Sequence, residues 1–328
     1  MSTRIILDCD PGHDDTMAIL LAAGCPGIDL AAITTVAGNQ TLEKVTLNAR
    51  RVCTVAGLHQ VPIYAGCDRP LLRPPITAGH IHGESGLDGP VFGAPAVDVQ
   101  REHAVDYLVD TLMAADGDIT LVPIGPLTNI AAALIREPAI ATHAREVVLM
   151  GGAYTRGNVT PAAEFNILAD PEAAAIVFAA GWPVTMVGLD LTHQAGAPQQ
   201  VVDTFRTMGS PVGEMAADLL DFYRGSYQRD GRAGDPPVHD PCAVARVAQP
   251  GLVAVREAFV AVETKGEWTA GMTVTDFHVR FDRPSNAQVA TTLDAAGFWD
   301  LMVSAVAALG PGSISAAGSA AGAGRPEA

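Results

Sequence analysis

The sequence predicts an open α/β fold in which helices flank a mostly parallel sheet. Short β-rich runs alternate with helical stretches over residues 4–192. The β-rich runs are apolar on both faces, as strands are in a parallel sheet that helices cover. Polar motifs directly follow several of these runs, and ligands bind at the carboxyl edge of such a sheet. We therefore expect an active site at that edge.

The predicted elements follow one another in regular order. Buried strands are predicted for the apolar runs RIILDCD, IDLAAITTVAG, VPIYAG, ITLVPIG, EVVLMGG and VTMVGLDLT. Helices are predicted between them, from their length and from closing glycines such as Gly24, for DDTMAILLAAG, TLEKVTLNARRVCTVAG, HAVDYLVDTLMAA, LTNIAAALI and DPEAAAIVFAAG.

The sequence pattern of the C-terminal part of the chain predicts additional helices and strands. Residues 195–240 have a mostly helical pattern and contain RDGRAGDPP, which predicts a mobile loop. The runs LVAVREAFVAVET and MTVTDFHVRF predict strands of an antiparallel addition. We expect residues 1–309 to form a single domain, and residues 310–328, a run of small residues, to be a disordered tail.

Composition excludes several classes of partner. A formal net charge of -16 argues against nucleic acid, whose binding needs clustered Lys and Arg. The sequence has no apolar run near the ~20 residues that cross a bilayer and no apolar core of a signal peptide, so we expect no membrane partner and a cytoplasmic location. The five cysteines include no C-x-x-C pair, which argues against both disulfides and a zinc site.

The stretch DCDPGHDD, residues 8–15, places four aspartates directly after the first predicted strand. Helix capping or turn formation explains one or two of them, but not a group whose members repel one another. A bound cation resolves the repulsion. Oxygen ligands without Cys or His favour a hard cation, Ca²⁺ or Mg²⁺.

Three familiar arrangements fit this stretch poorly. Counted from Asp8 as the first ligand of an EF-hand, the glycine position holds His13 and the closing glutamate position holds Ile19. A phosphotransferase of the haloacid dehalogenase class also has D-x-D after its first strand, but residues 11–15 replace the small hydroxyl residue expected next. No phosphate-binding G-x-x-x-x-G-K-[ST] loop is present. The phosphotransferase remains the less favoured alternative.

Two later stretches offer further oxygen ligands. In VHDPCAVA, Asp240 is expected to cap the helix that Pro241 begins, with its second oxygen free for a metal. In AEFNILADPEAA, Asp170 is the expected cap, which leaves Glu164 and Asn166 without a structural role.

The motifs together resemble the inosine-uridine-preferring nucleoside hydrolases, which cleave the N-glycosidic bond of ribonucleosides with a tightly held Ca²⁺. The resemblance extends from about residue 4 to residue 305 and implies a Rossmann-like sheet. The motifs appear in the family's order as DCDPGHDD, ITTVAGNQT, AGHIHGESG, LVPIGPLTNIA, VVLMGGAYTRGNVTPAAEFNILADPEAA, MVGLDLTHQA and HDPCAVA.

The resemblance also implies which residues act. The Ca²⁺ ligands would be Asp10, Asp15, Asp240 and the backbone carbonyl of Ile124, which replaces the family's usual threonine. A water and the ribose 2'- and 3'-hydroxyls would complete the coordination. The implied substrate contacts, with Met150 beneath the ribose ring and Asn39 near the water, are Asp14, Asn39, Met150, Asn158, Glu164, Phe165, Asn166 and Asp240. Asp8 would support the metal loop through hydrogen bonds.

The expected chemistry agrees with these residue types. Cleavage of the C1'–N bond builds positive charge on the ribose, which an anionic pocket stabilises. Asp10 would accept the proton of a metal-bound water, giving inversion at C1', and His239 would protonate the leaving base. His82, in a Gly-rich loop, and Tyr227, in the stretch FYRGSYQRDG, are the further catalytic candidates.

The sequence leaves several alternatives open. The chain could instead be a non-catalytic nucleoside-binding protein, or a hydrolase restricted to pyrimidines. The choice of base depends on the shapes of the loops at residues 77–86 and 223–235, which the sequence does not give. Small-molecule ribonucleosides are the expected partners, and the resemblance implies a homo-oligomer, either a tetramer or a dimer.

Overall fold

The structure is a computed structural model that describes residues 2–231 and 233–310. The predicted small-residue tail lies outside the described residues from position 311 onward. Within the described part of the chain, no helix combines the length and the apolar character needed to cross a membrane.

The strands and helices alternate as the sequence predicts. The strands are β1 (Thr3–Cys9), β2 (Ile28–Thr35), β3 (Ile63–Ala65), β4 (Ile119–Pro123), β5 (Glu146–Met150), β6 (Val184–Val187), β7 (Val253–Val262), β8 (Thr273–Asp276) and β9 (Ala287–Leu293). The helices are α1 (His13–Gly24), α2 (Leu42–Val55), α3 (Gly79–His82), α4 (Ala104–Met113), α5 (Thr128–Arg136), α6 (Ile140–His143), α7 (Phe165–Ala169), α8 (Pro171–Ala179), α9 (Leu189–Thr192), α10 (Gln199–Thr207), α11 (Pro211–Arg229), α12 (Pro241–Ala248) and α13 (Ala295–Ala308), with a 3₁₀ turn at Pro250–Leu252.

The described strands form one mostly parallel sheet in the order β3-β2-β1-β4-β5-β6-β9-β7-β8. The first seven strands in this order, which are all except β7 and β8, pair in parallel. Apolar cores cover both faces of the sheet. Along β1, Ile5 and Leu7 pack in one core and Ile6 packs in the other, because successive side chains point to opposite faces. The α/β prediction is therefore confirmed.

The far end of the sheet is antiparallel, also as predicted. Strand β7 pairs antiparallel with β8 on one side and with β9 on the other. Strand β9 was not predicted. Its exposed Gln288 and Thr292 interrupt the apolar pattern by which buried strands are recognised.

Helix α1 is the central helix of one face, and ten of its residues, from His13 to Ala22, are buried. It packs against α12 and α13. At its predicted end, a Cβ on Gly24 would collide with the backbone of Ala305 in α13. The glycine thus permits the close approach of the two helices.

The chain reverses direction across the sheet between β1 and β4. It runs outward through β2 and β3 on one side and continues through β4 and β5 on the other. The loops that follow β1 and β4 therefore diverge at the carboxyl edge and leave a crevice, the usual ligand site of open α/β sheets.

Candidate active site

Four buried aspartates lie at this crevice and form what we call the acidic cluster: Asp10, Asp14, Asp15 and Asp240. The first three come from the β1–α1 connection, and the last directly precedes α12. Carboxylate oxygens of Asp14, Asp15 and Asp240 lie within 4.8 Å of one another, a separation that one metal ion can bridge. The fold thus brings together residues 225 positions apart in sequence.

Asp15 also serves the start of α1. It accepts hydrogen bonds from the backbone N–H groups of Asp10 at 3.1 Å and Gly12 at 3.0 Å. Because Gly12 is the N-cap residue, Asp15 meets part of the capping need that its sequence position suggests. Asp15 therefore both caps α1 and belongs to the acidic cluster.

Asp10 occupies a tight backbone cradle. Its Oδ2 accepts the N–H of Asn39 at 2.6 Å, whereas its buried Oδ1 has no hydrogen-bond partner among the described residues. A Cβ at Gly38 or Gly125 would collide with this carboxylate. The two glycines therefore allow the loops after β2 and β4 to close around Asp10.

Asn39 links two members of the cluster. Its Nδ2 donates to the carbonyl of Asp10 and to Oδ2 of Asp15, at 3.1 Å each. Three hydrogen bonds from one residue thus hold Asp10 and Asp15 in place.

Asp240 departs from the expected capping role. Although it precedes α12, its side chain makes no cap hydrogen bond, and Ala243 N–H instead donates to the backbone carbonyl of Asp240 at 3.1 Å. The expectation of a side-chain cap was wrong. The carboxylate points into the acidic cluster instead.

The cluster is electrostatically costly without a counter-ion. Burial raises the pKa of all four carboxyls above the usual range for aspartate, and neighbouring carboxylates raise those of Asp10, Asp14 and Asp240 further. The pKa of Asp14 rises to about 7. A divalent cation would favour the ionised forms and displace their protons.

The donor atoms fit a hard cation. All the candidate ligands are oxygens, and the unpartnered Oδ1 of Asp10 is a buried acceptor that a cation would satisfy. Cys9 lies below the cluster, but its thiol donates to the carbonyl of Thr34. The residues at the crevice could therefore hold a metal ion of the Ca²⁺ or Mg²⁺ type.

Ile124 and Asn166 are joined at the edge of the cluster. The N–H of Ile124 donates to the carbonyl of Asp8 at 2.8 Å, and its own carbonyl accepts Nδ2 of Asn166 at 2.8 Å. The same amide lies 3.2 Å from the carbonyl of Met150. Asn166 thus ties together the loops that follow β4 and β5.

Asp8 is buried below these loops. Its Oδ1 accepts Thr34 Oγ1 at 2.5 Å and Asn129 Nδ2 at 2.7 Å. Burial raises the pKa of Asp8 to about 7. Its side chain therefore connects β1 to β2 and α5, and its backbone carbonyl positions Ile124.

Glu164 has a structural role that the sequence did not indicate. It is the N-cap of the short helix α7, where its carboxylate accepts the N–H groups of Asn166 at 2.9 Å and Ile167 at 3.2 Å. It also accepts the N–H of Gly152 at 2.9 Å. The interpretation that Glu164 and Asn166 lack a structural role was wrong for both residues, because Asn166 Nδ2 bonds the carbonyls of Ile124 and Met150. Asp170 does cap α8 as expected.

A cavity of about 500 Å³ opens directly above the cluster. Asp10 and Asp15 lie behind its wall. The other residues singled out from the sequence line it, namely Asp14, Asn39, His82, Ile124, Met150, Asn158, Glu164, Phe165, Asn166, Tyr227, His239 and Asp240. A larger groove of about 930 Å³ lies at the amino ends of β5, β6 and β9, away from these groups, so we place the site in the smaller cavity.

His239 and Tyr227 reach the cavity from different elements. Nδ1 of His239 lies 2.7 Å from Oγ1 of Thr192, and its backbone N–H donates to Asp14 Oδ2 at 3.3 Å. These contacts orient the imidazole beside the cluster. Tyr227 lies on α11, which continues to Arg229, so the expected loop at 223–235 is helical over its first half.

The residues at this site that the sequence did not single out include His13, Thr192 and Tyr223. Tyr223 lines the cavity one helical turn before Tyr227, and that spacing of four could have identified it. His13 stacks with Tyr223 and His82 beside the cavity. Burial lowers the pKa of His13 to about 4.

Comparison with known proteins gives consistent matches. The family model for inosine-uridine preferring nucleoside hydrolases matches residues 5–300. The chain is 48% identical over 300 residues to the pyrimidine-specific ribonucleoside hydrolase RihB of Escherichia coli O17:K52:H18, covering 91% of this chain and 95% of that protein.

Solved structures show the same relationship. A purine-preferring ribonucleoside hydrolase from Gardnerella vaginalis has a TM-score of 0.88 at 34% identity, covering 93% of this chain and 98% of that chain. A plant nucleoside hydrolase, PpNRh1, has a TM-score of 0.86 at 30% identity, covering 94% of this chain and 100% of that chain.

Proposed function

The chain belongs to the inosine-uridine preferring nucleoside hydrolase family, and from this premise we propose how its cavity hydrolyses ribonucleosides to free base and ribose. The observation that carries the proposal is the acidic cluster at the floor of a cavity of about 500 Å³. That volume suits a nucleoside-sized ligand. The cluster supplies negative charge where the ribose develops positive charge.

We propose Ca²⁺ as the resident metal. Asp10, Asp15, Asp240 and the carbonyl of Ile124 would hold it, and the unpartnered Oδ1 of Asp10 supports a bound cation at this place. Asp14, which the resemblance places on the sugar, has a carboxylate oxygen within 4.8 Å of those of Asp15 and Asp240, so it would lie close to the metal as well. Bound Ca²⁺ would make a coordinated water more acidic and orient the ribose hydroxyls.

The sugar would be held by polar groups already fixed in place. Glu164 and Asn166 are oriented by α7, and Oδ1 of Asn158 accepts the N–H of Phe165 at 3.0 Å. Met150 would lie beneath the ribose, while Asn39 would lie near the attacking water. Fixed groups of this kind favour the transition state because they need no reorganisation during the reaction.

Asp10 would act as the general base. As a carboxylate of the metal site, Asp10 would lie beside the attacking water and could take its proton as the water approaches C1'. Attack by this water on the face of C1' opposite the leaving base would give inversion at C1'.

The departing base would receive a proton or hydrogen bond from a residue that lines the cavity. His239 is the proposed donor, because Thr192 orients its ring beside the cavity. Tyr227 and His82 also line the cavity. They would assist the leaving group through contacts to the base.

The first test is product formation. Protein supplied with Ca²⁺ and either uridine or inosine is expected to release free base and ribose in equal amounts, measured by chromatography and a reducing-sugar assay. A protein that retained the nucleoside without releasing base would be a binding protein, as in the non-catalytic alternative.

Restriction to pyrimidines is the second candidate function. It is favoured by the name of the relative at 48% identity, whereas the structural neighbour at 34% identity is named purine-preferring. Comparing kcat/KM for uridine, cytidine, inosine and adenosine decides between a broad and a pyrimidine-restricted hydrolase. Ratios above about 100 in favour of both pyrimidines would establish the restricted function.

We further propose that the enzyme is a cytoplasmic homo-oligomer, a tetramer or a dimer, that serves nucleoside salvage. The family resemblance supports these proposals. Sedimentation analysis of the full chain measures the oligomeric state directly.

A further inference from the structure

Part of the cavity wall is a short exposed stretch of chain, residues 74–77, which we call the wall segment. It consists of Pro74, Pro75, Ile76 and Thr77, and all four residues are exposed. Ile76 and Thr77 line the cavity. The wall segment makes no hydrogen bond with any other described residue. Its position therefore depends on the residues at its two ends.

The C-terminal end of the wall segment is fixed beside the acidic cluster. The next residue, Ala78, is buried, and its N–H donates to the carbonyl of Asn39 at 3.0 Å. The side chain of Asn39 bonds in turn to Asp10 and Asp15. The carbonyl of Ala78 also accepts the N–H of His82 at 3.1 Å. This end is thus held by the site itself.

Arg73 fixes the N-terminal end of the wall segment through a two-pronged contact to a carboxylate. Its Nε donates to Oε2 of Glu172 at 2.9 Å, and its Nη2 donates to Oε1 of the same residue at 2.8 Å. Nη2 also donates to the carbonyl of Thr264 at 2.7 Å. Glu172 lies in the first turn of α8, and Thr264 follows β7. Arg73 therefore joins the wall segment to two separate elements.

The ion pair of Arg73 and Glu172 is more enclosed than the others in the described part of the chain. Its two side chains are 31% and 20% exposed, whereas every other ion pair between described residues has a partner that is at least 44% exposed. Exposed ion pairs contribute little to stability, but a bidentate arginine–carboxylate pair has the geometry that does contribute. Hydrogen bonding to Arg73 also lowers the pKa of the Glu172 carboxyl, which keeps it ionised near neutral pH.

Two prolines transmit the position of Arg73 to the cavity. Each proline ring fixes its own φ at about −65°, and the residue before a proline is restricted as well. Arg73 and Pro74 both precede a proline. The chain from Arg73 to Ile76 therefore has few alternative conformations, so an anchored Arg73 defines where Ile76 lies. The apolar side chain of Ile76 is 37% exposed, which leaves it available to a ligand.

We propose that Arg73 is a positioning residue for the reaction, because its contact to Glu172 holds the wall segment in place before the nucleoside binds. The role in nucleoside binding rests on the proposed function, whereas the anchoring of the wall segment does not. A segment that is already ordered lowers the entropic cost of binding. Ile76 and Thr77 are not among the groups that act on the water or the leaving base, so the anchor serves binding rather than the chemical step.

The direct test is the backbone order of the wall segment in the intact, Ca²⁺-supplied protein. Amide ¹⁵N relaxation of protein labelled at isoleucine gives the order parameter of Ile76, whose signal is identified by its loss in Ile76→Val. We expect about 0.85 in the unmodified chain, as in rigid backbone, and below about 0.6 in Arg73→Gln. A value below about 0.6 in the unmodified chain overturns the inference, whether or not any variant folds.

Two further variants separate anchoring from a general loss of stability. Glu172→Gln removes the charge that Arg73 binds, and it should also increase the motion of Ile76. Arg136→Gln is the matched control, because the ion pair of Arg136 with Asp106 joins α5 to α4 and neither residue lines the cavity. It should leave the order of Ile76 unchanged. Equal loss of order in Arg136→Gln, or no loss in Arg73→Gln and Glu172→Gln, overturns the role of Arg73.

Steady-state kinetics test the role in binding. A wall segment without its anchor must be ordered when the nucleoside binds, so Arg73→Gln should raise the KM for uridine about three- to tenfold. The kcat should change less than about twofold, because binding that is common to the ground state and the transition state does not alter kcat. Arg73→Lys, which can keep one contact to Glu172, should lie between, and Arg136→Gln should match the unmodified chain.

A fall in kcat at unchanged KM would overturn the positioning role. The order of Ile76 can be measured in a preparation that hydrolyses no ribonucleoside, so failure of the proposed function is distinguishable from failure of the anchor.

Discussion

At the scale of single residues, Asp10 has unusual surroundings. Its carboxylate is 1% exposed and enclosed by the backbone at Gly38 and Gly125, yet Oδ1 has no hydrogen-bond partner in the described residues. A buried acceptor of this kind is normally satisfied by a protein group, a water or an ion. The position of Asp10 beside three further aspartates favours the ion.

The variant Asp10→Asn tests this interpretation. It removes one negative charge, so Ca²⁺ affinity should fall by at least about tenfold. The metal-free protein should become more stable by about 1–3 kcal/mol at pH 8, because a buried and repelled charge has been removed. Calorimetric titration with Ca²⁺ and urea unfolding measure the two effects. Unchanged affinity would remove Asp10 from the ligand set.

His239 makes a second prediction at this scale. General acid catalysis is worth about 10²–10⁴ in rate, so His239→Ala should slow uridine and inosine hydrolysis by that order. A substrate with a good leaving group, 4-nitrophenyl riboside, needs no protonation and should be hydrolysed at nearly the normal rate. Steady-state kinetics on both substrates check this. Equal losses would rule out the acid role.

The sequence identified most residues of the cavity, but not all their contacts. The stretch DCDPGHDD places four aspartates together after a buried strand, and their mutual repulsion indicated a bound cation. The capping role of Glu164 was missed because α7 has only five residues, too few for a periodic pattern. The contact between His13 and His82 spans 69 positions, and no local signal reports such a pair.

Among the elements, the start of α8 is a junction of several segments. Asp170 is fully buried and accepts Ala173 N–H at 3.0 Å, Thr128 Oγ1 at 2.8 Å and Leu71 N–H at 2.8 Å. One carboxylate therefore joins α8 to α5 and to the segment that leads into the cavity loop at residues 76–82. This junction supports the site without touching the cavity.

The variant Asp170→Ala should destabilise the fold strongly. Loss of the cap together with two further buried hydrogen bonds is expected to cost about 2–4 kcal/mol. Asp294→Ala is the matched control, because Asp294 is an exposed cap of α13 with the single bond to Gly297 N–H, and should cost about 1 kcal/mol. Urea unfolding measures the free energy of unfolding of both variants. Equal losses in the two variants would contradict the role of Asp170 as a junction.

The sequence predicted elements well where one pattern persisted. Helix α2 was clear because its apolar residues recur at helical spacing, and strands β1 and β4 were clear because each contains an uninterrupted apolar run. The end of α11 was missed because Gly225 and the polar residues after it resemble a loop, although Tyr223 and Ser226 are buried on its packed face. Tertiary packing overrides weak local preference there.

At the scale of the whole molecule, the topology brings the aspartates of the acidic cluster together, and their mutual repulsion lowers the stability of the metal-free fold. Strand order brings the loops after β1, β2 and β4 to one edge, and α12 adds Asp240 from the C-terminal half. The rule that ligands bind at this edge allowed the candidate site to be proposed from the sequence. The distances within the cluster could not be predicted, because they depend on how α1 and α12 pack.

The cluster predicts an unusual pH dependence of stability for the metal-free protein. Its carboxyls have higher pKa values in the folded protein than in an unfolded chain, as with Asp14, which rises from 3.8 to about 7. The folded state therefore holds more protons between those values. Raising the pH through this window should lower the free energy of unfolding by at least about 2 kcal/mol.

Ca²⁺ should reverse this loss at pH 7–8, by about 2.7 kcal/mol at a concentration one hundred times its Kd. Thermal unfolding across pH, with chelator or with Ca²⁺, measures both effects. A metal-free protein whose stability rose steadily from pH 4 to pH 7 would contradict the account of the cluster.

The most direct test of the central claim is the rate of uridine and inosine hydrolysis after exhaustive chelation. We expect ribose release to stop when the divalent ion is removed and to return when Ca²⁺ is added to the same protein. Hydrolysis that continued undiminished in fully demetallated protein would show that the four carboxylates do not act through a bound cation.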